Sequence, residues 1–171
     1  MDDVDLVPDD GSGGIPVSVV VTPLEGRRRQ IQASITIPTT VEAIWRILTD
    51  YDRLAECIPN LVESCVVGEE DGCKIVRQVG TQQFLMLKFA ATVTVKIQER
   101  YLEQVAFTMV EGDFVEFTGS WDLVPVPEGT RLTYHLTILP PRHMPIKIVE
   151  GRLCQDLTVN LQAIHNQALS Q

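Results

Sequence analysis

The amino-acid sequence predicts an α+β fold: an antiparallel sheet of about seven strands, with helices on one face, curling around one long C-terminal helix. Three observations carry this reading. Residues 84–100, FLMLKFAATVTVKIQER, put Leu85, Leu87, Phe89, Ala91, Val93, Val95 and Ile97 on one face, the period of a half-buried strand. Apolar residues from Ile146 to Ala168 recur at helical spacing instead. The strand-like runs between Leu61 and Leu139 are separated only by short turn clusters, so neighbouring strands run antiparallel. A strongly twisted sheet cannot lie flat on a straight helix, so it wraps around it.

Each element has its own local signal. Residues 1–14, MDDVDLVPDDGSGG, combine acidic charge with a Gly/Ser run and are expected to be a disordered tail, leaving residues 15–171 as a single domain. Val17 to Val21 reads as a strand, EGRRR as a turn, and Gln30 to Ile37 as a second strand that buries Ile31, Ala33, Ile35 and Ile37. Thr39 followed by Glu42 has the spacing of a capping box, and Val41, Ile44, Trp45 and Leu48 make residues 40–48 a short amphipathic helix. A second short helix follows from Tyr51 to Cys57, capped by Thr49 or Asp50 and ended before Pro59. Asp52 and Glu56 sit in it as solvated charges. Strands are expected over Val62–Val67, Cys73–Thr81, 84–100, Val105–Met109, Val115–Leu123 and Leu132–Ile138, with a tight turn at Glu111-Gly112-Asp113. The Pro-rich joint LPPRHMP then leads into the last helix, with Pro145 suited to its first turn. At 1.5 Å per residue that helix is roughly 35 Å long, enough to cross the sheet.

Charge and composition exclude several function classes. The formal charge is −9, but Asp2, Asp3, Asp5, Asp9 and Asp10 supply five of the 23 acids, leaving 18 against 14 Lys and Arg, or −4. The one basic run, Arg27-Arg28-Arg29, is too short for a nucleic-acid footprint. It reads as a solvated turn, with transient contact with an anionic membrane surface as the alternative. There is no secretory-type apolar stretch behind a basic start, and no window approaches the roughly 20 apolar residues of a membrane span. The expectation is a soluble cytoplasmic protein. Cys57, Cys65, Cys73 and Cys154 lack CxxC spacing, and His135, His143 and His165 lie far apart, so neither a metal site nor a cofactor is expected. The inward apolar set, with Gly119 contributing no side chain, describes either a filled core or a hollow one, since periodicity is the same in both.

Three separated segments resemble one family in order and spacing. Val41-Glu42-Ala43-Ile44-Trp45-Arg46-Ile47-Leu48-Thr49-Asp50-Tyr51-Asp52, followed by Ile58-Pro59-Asn60, resembles the opening helices of the START-like (SRPBCC) superfamily. Gly129-Thr130-Arg131-Leu132-Thr133-Tyr134 resembles its last strand. Pro145-Ile146, Glu150-Gly151-Arg152-Leu153, Asp156-Leu157 and Asn160-Leu161-Gln162-Ala163-Ile164 resemble its final helix. The similarity spans residues 30–169 and is greatest to the branch of polyketide cyclases/dehydratases and coenzyme Q-binding proteins. It implies a helix-grip fold around an elongated hydrophobic cavity.

With a cavity implied, the inward residues become candidate ligand contacts: Leu54, Ile58, Leu61, Leu87, Phe89, Phe107, Met109, Phe117, Trp121, Tyr134, Leu136, Leu153, Leu157 and Leu161. Arg77, Tyr134 and Asn160 are the candidate polar contacts, and Glu111 adjoins a turn. Cyclase or dehydratase chemistry needs a proton donor and acceptor beside the substrate, and no histidine is well placed for it. The expected function is therefore binding, transport or shielding of a hydrophobic small molecule such as a lipid or isoprenoid quinone, without catalytic residues. The alternative is an aromatase/cyclase- or dehydratase-like enzyme on a polyketide-type substrate, relying on Arg77 and Tyr134. A third reading is a regulatory protein whose loops close over ligand, for which the sequence names no protein partner.

Overall fold

The computed structural model describes residues 15–84 and 87–171, with side chains described except at 82–84 and 87–89. The acidic start, residues 1–14, and Leu85 and Met86 of the long alternating run lie outside the described residues. Two strands, β1 (Ser18–Pro23) and β2 (Arg29–Ile37), precede helix α1 (Val41–Thr49). A 3-10 turn, Tyr51–Arg53, runs into the short helix α2 (Leu54–Cys57). Then follow β3 (Leu61–Glu70), β4 (Cys73–Phe84), β5 (Leu87–Arg100), β6 (Gln104–Gly112), β7 (Glu116–Val126) and β8 (Gly129–Leu139), before the long helix α3 (Ile146–Leu169). All eight strands join one antiparallel sheet in the order β1-β2-β8-β7-β6-β5-β4-β3, curved around α3. The strand read from Val17 to Val21 is β1, at the sheet edge beside β2.

The β2–β8 pair closes the chain on itself, with Ile31 opposite Leu136 and Ile35 opposite Leu132. Alternate residues of both strands, Ile31, Ala33, Ile35, Ile37, Leu132, Leu136 and Ile138, are buried. Leu161, Ile164 and Ala168 of α3 and Ile44, Ile47 and Leu48 of α1 are buried with them, and α3 packs on both β2 and α1. The turn from β7 into β8 is tight: Gly129 has φ +141°, and a Cβ there would stand 2.2 Å from the Ile37 carbonyl oxygen.

Several local expectations shift once contacts are known. Thr40, not Thr39, caps α1, accepting from the Ala43 N–H at 3.3 Å. Thr39 is still in a turn, its N–H donating to the Ile37 carbonyl at 2.8 Å and its carbonyl accepting from Thr130 Oγ1 at 3.0 Å. The second helix is only a 3-10 turn plus one α turn. Thr49 does not cap it, because its hydroxyl donates back to the Trp45 carbonyl at 2.8 Å, and Asp50 makes no side-chain cap bond. Asp52 instead accepts from the Val66 N–H at 2.9 Å, tying this segment to β3. The reversal after β6 falls at residues 113–115, where the Asp113 carboxylate accepts from the Thr92 N–H at 2.7 Å. No helix among the described residues is long and apolar enough to cross a membrane.

Candidate functional site

Beside this packed core the interior is hollow. An internal cavity of about 210 Å³ lies between the sheet and the N-terminal half of α3. Leu48, Tyr51, Leu54, Ile58, Asn60 and Leu61 form one side, from the end of α1 to the start of β3. Gln78 and Gly80 of β4, Ala91, Val93, Val95 and Ile97 of β5, and Val105 and Phe107 of β6 form the floor. Phe114, Phe117, Trp121, Tyr134 and Leu136 continue it, and Leu153, Asp156, Leu157 and Asn160 of α3 close it. Those four positions recur at the i, i+3, i+4, i+7 spacing that places residues on one helical face.

An aromatic wall dominates this space. Phe107 stacks on Tyr134 with centroids 5.8 Å apart and an interplanar angle of 22°. Trp121 meets Tyr134 at 4.5 Å, and Phe117 lies 5.6 Å from Phe107 and 5.4 Å from Phe114. Sheet register explains the cluster, because Trp121 sits opposite Tyr134 and Gly119 sits opposite Phe107. A Cβ at Gly119 would come within 1.9 Å of the His135 carbonyl oxygen and 2.9 Å of the Phe107 ring, so only glycine permits this approach.

The polar groups are few. Burial pushes the Tyr134 hydroxyl well above the usual tyrosine range, so it stays protonated. Tyr51 is raised likewise by burial, and further by the Glu99 carboxylate that accepts its hydroxyl hydrogen at 2.5 Å. Gln78 Nε2 donates to Ser64 Oγ at 3.4 Å. Asn160 Oδ1 is buried without a hydrogen-bond partner among the described residues. The described lining includes no histidine, arginine or lysine, and the described residues hold no His/Cys/Asp/Glu cluster suited to a metal ion.

The sequence-named candidates divide accordingly. Leu54, Ile58, Leu61, Phe107, Phe117, Trp121, Tyr134, Leu136, Leu153, Leu157 and Asn160 line the cavity. Leu161 does not, because it is fully buried in the packed part of the core. Met109 lies beyond the last β6–β7 pair, Thr108 with Thr118, and stands off the lining. The side chains of Leu87 and Phe89 lie outside the described residues. Arg77 is on the outer face, where it donates to Glu63 at 2.7 Å, because strand alternation gives the inner face of β4 to Val76 and Gln78. Glu111 and His143 are exposed, and His135 pairs with Asp122 at 3.0 Å on the outer face. The candidates left out Tyr51, Asn60, Gln78, Gly80, Phe114 and Asp156, and also Leu48, Ala91, Val93, Val95, Ile97 and Val105, which were read only as members of apolar faces. Two of the polar ones had a usable signal: Gln78 alternates with Val76, and Asp156 is three residues past Leu153.

The Arg27-Arg28-Arg29 run is not a solvated turn. Arg27 donates to the Pro141 carbonyl at 3.2 Å and to that of Met144. Arg28 pairs with Glu116 at 2.7 Å, and Arg29 pairs with Glu150 on α3. The hairpin tip therefore holds the joint between β8 and α3.

Comparison with known proteins places this architecture. The family model described as polyketide cyclase / dehydrase and lipid transport matches residues 37–163. A STAR-related lipid transfer protein fragment from Xanthomonas axonopodis superposes with a TM-score of 0.73 at 15% identity, covering 94% of this chain and 96% of that one. The Zhui aromatase/cyclase from a Streptomyces species gives 0.71 at 14% identity, covering 82% and 93%. TTHA0849 from Thermus thermophilus gives 0.68 at 23% identity, covering 82% and 97%. A search of curated protein sequences finds no significant match. These descriptions cover both lipid transport and aromatase/cyclase members. The chain belongs to the polyketide cyclase / dehydrase and lipid transport family.

Proposed function

We propose that this protein binds a compact, ring-containing hydrophobic molecule in its internal cavity and shields it from water, as a carrier and not as a catalyst. The observation that carries this is a largely apolar chamber walled by Phe107, Phe117, Trp121 and Tyr134. Volume narrows the occupant. A cavity of roughly 150 Å³ holds one benzene, so about 210 Å³ suits one or two fused rings. An intact lipid or an isoprenoid tail needs the chamber to widen. The test is gentle purification, organic extraction and mass spectrometry of what leaves the protein. A compact aromatic or alicyclic compound, displaced by Ala91→Leu at the cavity floor, is the expected result. Recovery of nothing, with no uptake of bicyclic aromatic probes, would sink the reading.

The cyclase or dehydratase alternative draws on the family description and on Tyr134 lining the cavity. Its other support, Arg77, faces outward. It requires turnover that Tyr134→Phe abolishes while ligand affinity persists; equal loss of both counts against it.

A further inference from the structure

Two buried side-chain polar atoms lack a hydrogen-bond partner among the described residues, Arg152 Nε and Asn160 Oδ1, and only the second belongs to a cavity-lining residue. An amide oxygen cut off from water and left without a donor destabilises the fold that contains it. The position does not call for a polar residue. Asn160 stands three residues after Leu157 and four before Ile164, both buried, so leucine would continue the apolar stripe of α3. The other uncharged polar side chains of the lining are Asn60 from the α2–β3 loop, Gln78 of β4, Tyr51 of the turn before α2, and Tyr134 of β8 within the aromatic wall. Most of the aromatic wall comes from β6, β7 and β8. The lining therefore combines an aromatic wall with a few polar groups, of which the Asn160 amide oxygen is buried and without a hydrogen-bond partner among the described residues.

We propose that Asn160 is a specificity-determining residue whose Oδ1 accepts a hydrogen bond from the ligand. The ligand class is then a compact ring compound bearing a hydroxyl or ring N–H donor, such as a phenol, with its ring against the aromatic wall. This rests on the cavity being a ligand site. Specificity follows from the asymmetry between partners: a ligand without the donor leaves the buried acceptor unpaired, and one with it removes that cost.

Three probes sharing one ring system test the proposal: naphthalene, 2-naphthol, and 2-methoxynaphthalene, which accepts but cannot donate. Binding is read by calorimetry and tryptophan fluorescence. The unaltered protein is expected to bind 2-naphthol about tenfold more tightly than either other probe. In Asn160→Leu that preference falls to within about twofold, and the ligand-free variant melts at a higher temperature than the parent. Equal affinity of the unaltered protein for naphthalene and 2-naphthol overturns the proposal, as does preference for the methoxy probe. Neither result depends on a variant folding. A naphthol preference that survives in Asn160→Leu also overturns it. If naphthalene binds without discrimination, only the donor assignment fails; if none of the three binds, the cavity reading fails with it.

Discussion

The two ends of α3 are built differently. Past Asn160 its inward residues, Leu161, Ile164 and Ala168, are buried, and the helix packs against β2 and α1. Before Leu157, Ile146, Val149 and Leu153 are only half-buried, and Leu153 faces open volume. One amphipathic helix thus serves a solid core at one end and a hollow one at the other. Core stability and ligand space are therefore separable along a single element, and substitutions at the two ends should behave as different experiments.

The largest contrast comes from leucine truncation. Leu161→Ala should destabilise the protein by about 3–4 kcal/mol in urea unfolding, since it opens a void in close-packed surroundings. Leu153→Ala should cost about 1 kcal/mol, because it enlarges space that already exists. Equal costs would break the comparison. Gly119→Ala is expected next, at about 2–3 kcal/mol, since the added methyl meets the β8 backbone and the Phe107 ring. Its loss of probe affinity should exceed that of Leu153→Ala, which sharpens the view that the aromatic wall shapes the hollow part. Arg29→Ala should cost about 1–2 kcal/mol, more than an exposed pair, because its side chain and that of Glu150 are 13% and 20% exposed. High salt should shrink that difference but leave the Leu161→Ala value unchanged. The smallest effect is alkaline. Tyr51 and Tyr134 are held above the ordinary tyrosine value of 10.0, so the unfolded chain releases their protons first. Their contribution is complete below that value and is lost as pH rises past it. The melting temperature should fall by a few degrees between about pH 9 and about pH 11, and less steeply in Tyr134→Phe.

The solid end was legible because its residues obey one period per element. Ile31, Ala33, Ile35 and Ile37 alternate, Leu161, Ile164 and Ala168 follow helical spacing, and all are buried. The hollow end was only partly legible. Phe107, Trp121 and Tyr134 were recognisable as inward-facing, but the same alternation describes a filled core, so it carries no information on volume. Leu161 illustrates the error: it shares its stripe with cavity-lining Leu157 yet lies where the packing has closed. The polar lining was harder still. Gln78 had the local signal of alternation with Val76, but Asn60 reaches the cavity through the turn after α2 and its approach to β4, which is long-range geometry and not local pattern. Arg27, Arg28 and Arg29 misled for the same reason, since their partners lie 88 to 121 residues away.

That arginine cluster gives α3 the mechanics of a cantilever. The beam is clamped at its C-terminal end by apolar burial, which salt does not weaken. At its free end it rests on guanidinium contacts to Pro141, Met144 and Glu150, which ions in solution do weaken. Stiffness at the root and compliance at the tip then have separate physical origins, and the tip's can be tuned by ionic strength without loosening the root.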